Sequence, residues 1–119
     1  MKYLLAVFLL SAPSLANAQC KNAVSTKDIQ NCMDGEWKKS DAELNRVYQE
    51  SLEKLKPDQA ALLKKAQRAW LTYRDAQCEA DYTMYVGGTA AHLALAQCRI
   101  SLTQERSKTL RDTYLNSNP

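Results

Sequence analysis

Apolar residues recur along this chain at steps of three, four and seven, which is the spacing of one face of a helix. In the first half they are Ile29, Met33, Trp37, Leu44, Tyr48, Leu52 and Leu55. No segment alternates apolar and polar residues with period two, so we expect essentially no sheet. The pattern predicts one long helix from about Thr26 to Leu55. The alternative is a break near Gly35 to Ser40, because Ser40 and Glu43 have the spacing of a capping box.

A second helix is predicted to follow directly. Lys56 precedes a proline and is therefore disfavoured in the α region, which ends the first helix, and Pro57 with Asp58 then opens the next. Its expected apolar face consists of Leu62, Ala66, Trp70, Tyr73 and Ala80, with Leu63 and Ala69 alongside. The helix is expected to end near Tyr82. Within this face, Trp70 and Tyr73 are one turn apart and are predicted to form the centre of the core.

A third helix is predicted from about Ala90 to Tyr114, after a turn at Gly87 and Gly88. Thr89 is a suitable N-cap for it, because threonine accepts hydrogen bonds from the first free amides of a helix. Three helices joined by short connections favour an antiparallel bundle. The fold class expected is therefore all-α, a small three-helix bundle.

The first twenty residues have the pattern of a signal peptide. Lys2 supplies a positive charge, a short apolar run follows to Leu10, and residues 16–18 have the small-x-small pattern before a cleavage site. The run is too short to span a membrane. We therefore expect a signal peptide over residues 1–18 and one helical domain over residues 19–119, periplasmic or secreted. Gln19 is not a small residue, which argues against lipid attachment at Cys20.

Four cysteines remain in the expected mature domain: Cys20, Cys32, Cys78 and Cys98. In an oxidising compartment an even number of cysteines in a small domain indicates disulfides. The sequence lacks the close C-x-x-C pair that is typical of a zinc site. Three connectivities are possible. We favour Cys20–Cys32, which pins the N-terminal arm to the first helix, and Cys78–Cys98, which closes a hairpin of the second and third helices.

Composition and motifs argue against most enzymes and against nucleic-acid binding. The formal net charge is +3, and it falls to +2 if Lys2 is removed. Basic and acidic residues are therefore nearly balanced, which does not indicate a nucleic-acid or membrane-surface partner. His92 is the only histidine, and with all thiols paired neither a histidine triad nor a cysteine nucleophile is available. Asp75 and Glu79 share a helix face, but such pairs are common on helix surfaces. We expect no catalytic residue, metal or cofactor.

Two groups of residues, a set of charged side chains and an apolar loop, allow either a structural or a functional interpretation. Arg68 and Asp75 are predicted to form an ion-pair network with Glu105 and Arg106. The loop after the second helix is unusually apolar for a solvated connection, so part of it is either a cap on the hairpin or a contact surface for another protein. The candidate partner-binding residues are Tyr82, Met84, Tyr85 and Val86, with Arg74 and Arg99 as nearby cations.

The order of these motifs resembles that of the LprI-like family of small secreted bacterial proteins. The residues that carry the resemblance are Cys20, Ser25-Thr26-x-Asp28-x-x-x-Cys32, Asp41-x-Glu43-Leu44-Asn45-x-x-Tyr48, Ala66-Gln67-Arg68-x-Trp70-x-x-Tyr73-Arg74-Asp75-x-x-Cys78, Gly87-Gly88-Thr89, Cys98 and Leu102-Thr103-x-Glu105-Arg106. The resemblance implies an all-helical, disulfide-bonded exported domain. The family takes its name from a member described as a lysozyme inhibitor.

The resemblance therefore implies a non-enzymatic protein whose partner is a lysozyme or another envelope protein. The alternative is a periplasmic binding or scaffold module associated with the envelope, without inhibitory activity.

Overall fold

The computed structural model describes residues 20–85, 87–88 and 90–116. This part of the chain forms three α-helices, α1 (Thr26–Glu53), α2 (Pro57–Thr83) and α3 (Ala90–Leu110), and α3 continues into a π-helical turn at Arg111–Leu115. Strands are absent from the described ranges, which confirms the all-α prediction. The predicted signal peptide and the capping role of Thr89 lie outside the described residues.

Helix α1 runs without interruption past Gly35, so the alternative of a break at Gly35 to Ser40 is wrong. It begins where the Asp28 backbone N–H donates to the Ser25 hydroxyl oxygen at 3.0 Å. Glycine inside a helix costs about 1 kcal/mol relative to alanine. Buried side chains on both sides, Met33 before Gly35 and Leu44 after it, hold the helix against this local cost.

Helix α2 opens at Pro57, as the sequence predicts. Proline occupies the first helical position, where its missing N–H removes no hydrogen bond. The backbone N–H of Lys56 donates to the Gln59 side-chain oxygen at 3.2 Å. This bond fixes the direction in which the chain turns from α1 into α2.

Helix α3 packs against both other helices. Two contacting residue pairs indicate the direction in which α2 and α3 run relative to each other. Cys78 near the end of α2 bonds to Cys98 near the start of α3, whereas Gln67 accepts a hydrogen bond from Arg106, further along α3. Residue numbers rise along α3 as they fall along α2. This is the order of pairing expected of a helical hairpin in a bundle.

Two clusters of buried side chains form the core. The first lies towards the α1–α2 turn and consists of Leu44, Val47, Leu63 and Leu110, flanked by partly buried residues that include Tyr48, Trp70 and Tyr114. The second consists of Met33 and Ile100, flanked by Cys20, Ile29, Trp37, Leu93 and Ala96. Buried polar side chains, among them Ser40, Gln67 and Thr103, lie between these clusters, so one continuous apolar core does not extend along the bundle.

The apolar face predicted for α2 is wrong in its orientation. Leu62 is 69% exposed and Tyr73 is 53% exposed, and Trp70 is only partly buried at the edge of a core cluster. The side chains that α2 buries are Leu63, Gln67, Arg74 and Cys78. The physical reason is that α2 has apolar residues on two faces, and the Cys78–Cys98 bond fixes which of them turns inward.

The two disulfides join the pairs favoured from the sequence, Cys20–Cys32 and Cys78–Cys98. All four cysteines are therefore paired. Both bonds lie towards the end of the bundle that carries the start of α1 and the α2–α3 loop. Each closes a short loop in the unfolded chain and so lowers the entropy of unfolding.

We predict that the double variant Cys78→Ala/Cys98→Ala loses about 3 kcal/mol of unfolding free energy, the chain-entropy value for a loop of this length. Equilibrium urea unfolding, followed by far-UV circular dichroism, measures the loss. Helix content in the absence of urea is expected to stay close to that of the parent. A loss below about 1 kcal/mol would show that the hairpin is held by packing alone.

An ion-pair cluster joins α1 to the π-helical turn. Arg111 donates to a Glu43 carboxylate oxygen at 2.8 Å, and Arg46 donates to both oxygens of the same carboxylate at 2.7 and 3.1 Å. Hydrogen bonding from Arg46, and secondly from Arg111, lowers the pKa of Glu43 below its ordinary value of 4.5. The folded state therefore favours the ionised carboxylate.

A carboxyl whose pKa is lowered by folding contributes stability above its unfolded pKa and loses that contribution as the pH falls through the folded value. We predict that Glu43→Gln is less stable than the parent at pH 7 and that the difference shrinks as the pH falls through the lowered pKa of Glu43. Thermal unfolding at a series of pH values measures this. Because the Glu43 side chain is 40% exposed, solvent screening keeps the effect small. A difference that is constant across this pH range would contradict the assignment.

Candidate functional site

The centre of the bundle is a stack of arginine and tryptophan side chains. The Arg74 guanidinium carbon lies 4.7 Å from the ring centre of Trp37 on α1 and 5.3 Å from that of Trp70 on α2. On the α3 side, Arg99 lies 5.8 Å from the Trp37 ring and Arg106 lies 5.8 Å from the Trp70 ring. These distances are within the range of cation–π attraction. The stack therefore connects all three helices.

The charge of Arg74 is held inside the protein by two carboxylates. Its Nε donates to Asp75 at 3.0 Å, and its Nη1 lies 3.6 Å from an Asp41 oxygen on α1. The side chain is only 9% exposed, and a buried cation is tolerated when it is paired. Because of this burial, Arg74 is not among the residues that a partner could contact directly, and its role in the structure is to join helices.

The predicted network of Arg68, Asp75, Glu105 and Arg106 does not form. Arg68 is exposed, Asp75 pairs with Arg74, and the Arg106 Nε donates to the Gln67 side-chain oxygen at 2.9 Å. Burial lowers the pKa of Arg106. The sequence did contain a signal for the correct face: counting back from a buried Cys78 at helical spacing gives Arg74, Trp70, Gln67 and Leu63.

The residues predicted on the α2–α3 loop lie together at one end of the bundle. Tyr82 lies in the last turn of α2, with its ring centre 6.0 Å from that of His92. Met84 is 80% exposed and Tyr85 is 52% exposed. Val86 lies outside the described residues. Gly87 follows with a φ of +104°, a conformation that favours glycine and that lets the chain turn sharply into α3.

Two adjoining grooves run from this loop across the starts of α1 and α3. The first, of about 430 Å³, is lined by Tyr85 together with Ile29, Met33 and Leu93. The second, of about 240 Å³, is lined by Arg99, His92 and Asp34 and shares Met33 and Leu93 with the first. We call the exposed and half-buried residues on the loop and along these grooves the loop-end surface: Met84, Tyr85, His92, Leu93 and Arg99.

The loop-end surface combines apolar, aromatic and cationic groups on a support that is covalently closed. Cys20 lines the same groove as Tyr85, so the disulfide to Cys32 fixes the N-terminal arm beside the loop. The Cys78–Cys98 bond closes the other side. A surface held in this way loses little conformational entropy when a partner binds, which is the physical requirement for an effective contact site.

The described residues contain no cluster of three or more side chains able to hold a metal ion. None of the described helices is both long and apolar enough to cross a membrane. The loop-end surface offers an exposed phenol, an exposed thioether and a partly exposed guanidinium.

Comparison with known sequences agrees with the motif order. The sequence model of a family described as "Lysozyme inhibitor LprI" matches residues 16–110. The chain belongs to the LprI family. An uncharacterized protein of Rhizobium meliloti (strain 1021) is 34% identical over an alignment of 122 positions, which covers 87% of this chain and 88% of that relative.

A second relative is the uncharacterized protein YecT of Escherichia coli (strain K12). It is 42% identical over an alignment of 62 positions, which covers 43% of this chain and 38% of YecT. No solved structure is significantly similar to this chain. The comparisons support a lysozyme inhibitor-like role through the family, while the two relatives carry no named activity.

We predict that Arg74→Ala lowers the unfolding free energy by about 3 kcal/mol, since it removes two cation–π contacts and opens a gap between the tryptophans. Arg74→Lys should cost less, because an ammonium keeps the charge but cannot stack on two rings. Urea unfolding measures both losses. Arg68→Ala, a neighbouring exposed arginine, is the control and should change stability by less than about 0.5 kcal/mol. Equal losses for Arg74→Ala and Arg68→Ala would contradict a central role for the stack.

Proposed function

We propose that this chain is a secreted or periplasmic, non-enzymatic binding protein that inhibits a lysozyme by direct protein contact. The observation that carries the proposal is membership of a family described as lysozyme inhibitors, over residues 16–110. Two disulfides in a small helical domain support export, because such bonds persist in oxidising compartments.

The loop-end surface is the proposed contact site. Met84 and Tyr85 are large, exposed and adjacent, and tyrosine in particular supplies much contact area for few rotatable bonds. They project from a loop closed on one side by a disulfide between α2 and α3. A stiff loop bearing apolar side chains is suited to enter a cleft, since it is ordered before binding.

Arg99 is the proposed charged contact. The cleft of a lysozyme holds two catalytic carboxylates in a groove shaped for sugar, so an inhibitor gains from a cation placed near them. Arg99 is partly exposed and lines the groove that adjoins the Tyr85 groove. Of the two cations considered from the sequence, Arg74 is buried in the tryptophan stack, so the proposal uses Arg99.

The test is a turbidity assay of lysozyme acting on bacterial cell walls, with the oxidised chain added in increasing amounts. We predict saturable slowing near one-to-one stoichiometry. Tyr85→Asp should raise the concentration needed for half-inhibition at least about tenfold, since it places a charge in the apolar contact. Mass spectrometry confirms that all four thiols are paired in each sample.

Leu71→Asp is the matched control, because Leu71 is an exposed leucine in the middle of α2 that belongs to neither core cluster. It should inhibit as the parent does, and both variants should keep the helix content and melting temperature of the parent. Full inhibition by Tyr85→Asp would rule out the loop-end surface as the site. No slowing by the folded parent against more than one class of lysozyme would favour the envelope-associated binding module instead.

A further inference from the structure

Helix α2 has a second apolar face that points away from the bundle. Its side chains are all exposed, and two of them are large: Leu62 at 69% and Tyr73 at 53%. We call this set the outer face of α2; it consists of Leu62, Ala66, Ala69, Tyr73, Ala76 and Ala80. It contains most of the residues that the sequence predicts as core, but not Trp70, which packs against a core cluster. An apolar stripe about 27 Å long, at 1.5 Å per residue, is left uncovered by the rest of the described chain.

The spacing of the outer face is that of a coiled-coil seam. Successive members are four, three, four, three and four residues apart, which is a continuous heptad pattern over most of α2. A helix that only covers a globular core needs no second stripe with this repeat. The repeat of 3.5 residues keeps such a stripe in contact with another helix along its whole length.

We propose that the outer face binds the same face of a second copy of this chain, with the two α2 helices antiparallel. In the register we propose, Leu62 lies opposite Ala80 of the second copy, and Ala69 lies opposite Tyr73 of the second copy. Every large side chain then meets an alanine, and Ala66 meets Ala76. A parallel pairing would instead place Tyr73 against Tyr73 and leave gaps at the alanines, which is poor packing.

Charge supports the same register. Lys65 and Glu79 are exposed and lie along one border of the outer face, each three residues after a member of the stripe. Neither forms an ion pair among the described residues. In the antiparallel dimer Lys65 lies opposite Glu79 of the second copy, and the two-fold axis repeats this pair. Flanking charges of this kind set partner choice and orientation in coiled coils.

The dimer is independent of the proposed function and leaves the loop-end surface free. Because Tyr85 follows the end of α2, the antiparallel arrangement places the two loop-end surfaces at opposite ends of the assembly. Each dimer then presents two separate contact sites. One helix from each copy makes a small interface, so we expect a dissociation constant in the range of about 1 to 100 μM.

Sedimentation velocity on the full oxidised chain, over a concentration series of about 5 to 500 μM, tests the dimer. The parent should shift from monomer to dimer across this range. Lys65→Glu and Glu79→Lys should each raise the dissociation constant at least about tenfold, since each places like charges opposite one another at two positions. An equimolar mixture of these two variants should recover dimers, because their charges are complementary.

The double variant Lys65→Glu/Glu79→Lys should also recover the parent dissociation constant, since it exchanges the two charges and keeps them opposite. Ala69→Glu should abolish the dimer, whereas Ala42→Glu, the same change at an exposed position of α1, should not. Circular dichroism confirms folding of each variant. A parent that stays monomeric to 500 μM overturns the proposal, and single charge reversals without effect overturn the antiparallel register.

Discussion

The stacking of Arg74 between Trp37 and Trp70 is the interaction on which the arrangement of the three helices depends. A planar cation can be attracted to a ring on each side, and here the two rings come from different helices. Arg99 and Arg106 of α3 each lie 5.8 Å from the centre of one of the same rings. The apolar clusters lie on both sides of this stack, so a polar interaction joins two small cores that are separately too limited for a stable domain.

The disulfides stabilise a second region of the molecule, the end of the bundle that carries the α2–α3 loop. A connection with two glycines and several large apolar side chains would sample many conformations if it were attached only by its helices. Cys78–Cys98 closes its base, and Cys20–Cys32 places the N-terminal arm against Tyr85. The proposed contact surface and the bonds that stiffen it are therefore part of one local structure.

Two surfaces remain for partners, and they have different chemistry. The loop-end surface is compact and mixed, with Tyr85 and Met84 beside the partly exposed Arg99. The outer face of α2 is long, almost entirely alanine and leucine, and bordered by single charges. A mixed, preordered patch suits a cleft in another protein, whereas a regular heptad stripe suits a second helix. The proposed inhibition and the proposed dimer therefore use separate parts of the molecule.

The sequence by itself determined the three helices and the proline-led start of α2, because helical spacing and chain breaks are local properties. It favoured one of three possible cysteine pairings, and the structure has that pairing. It also indicated the exposed loop at Tyr85. Only the tertiary structure decided which face of α2 is buried. Two apolar stripes compete there, and burial of Cys78 with Arg74 turns the stripe of Leu62 and Tyr73 outward. The same packing placed Arg74 inside the protein rather than beside the loop, since its guanidinium gains more from two tryptophans than from solvent.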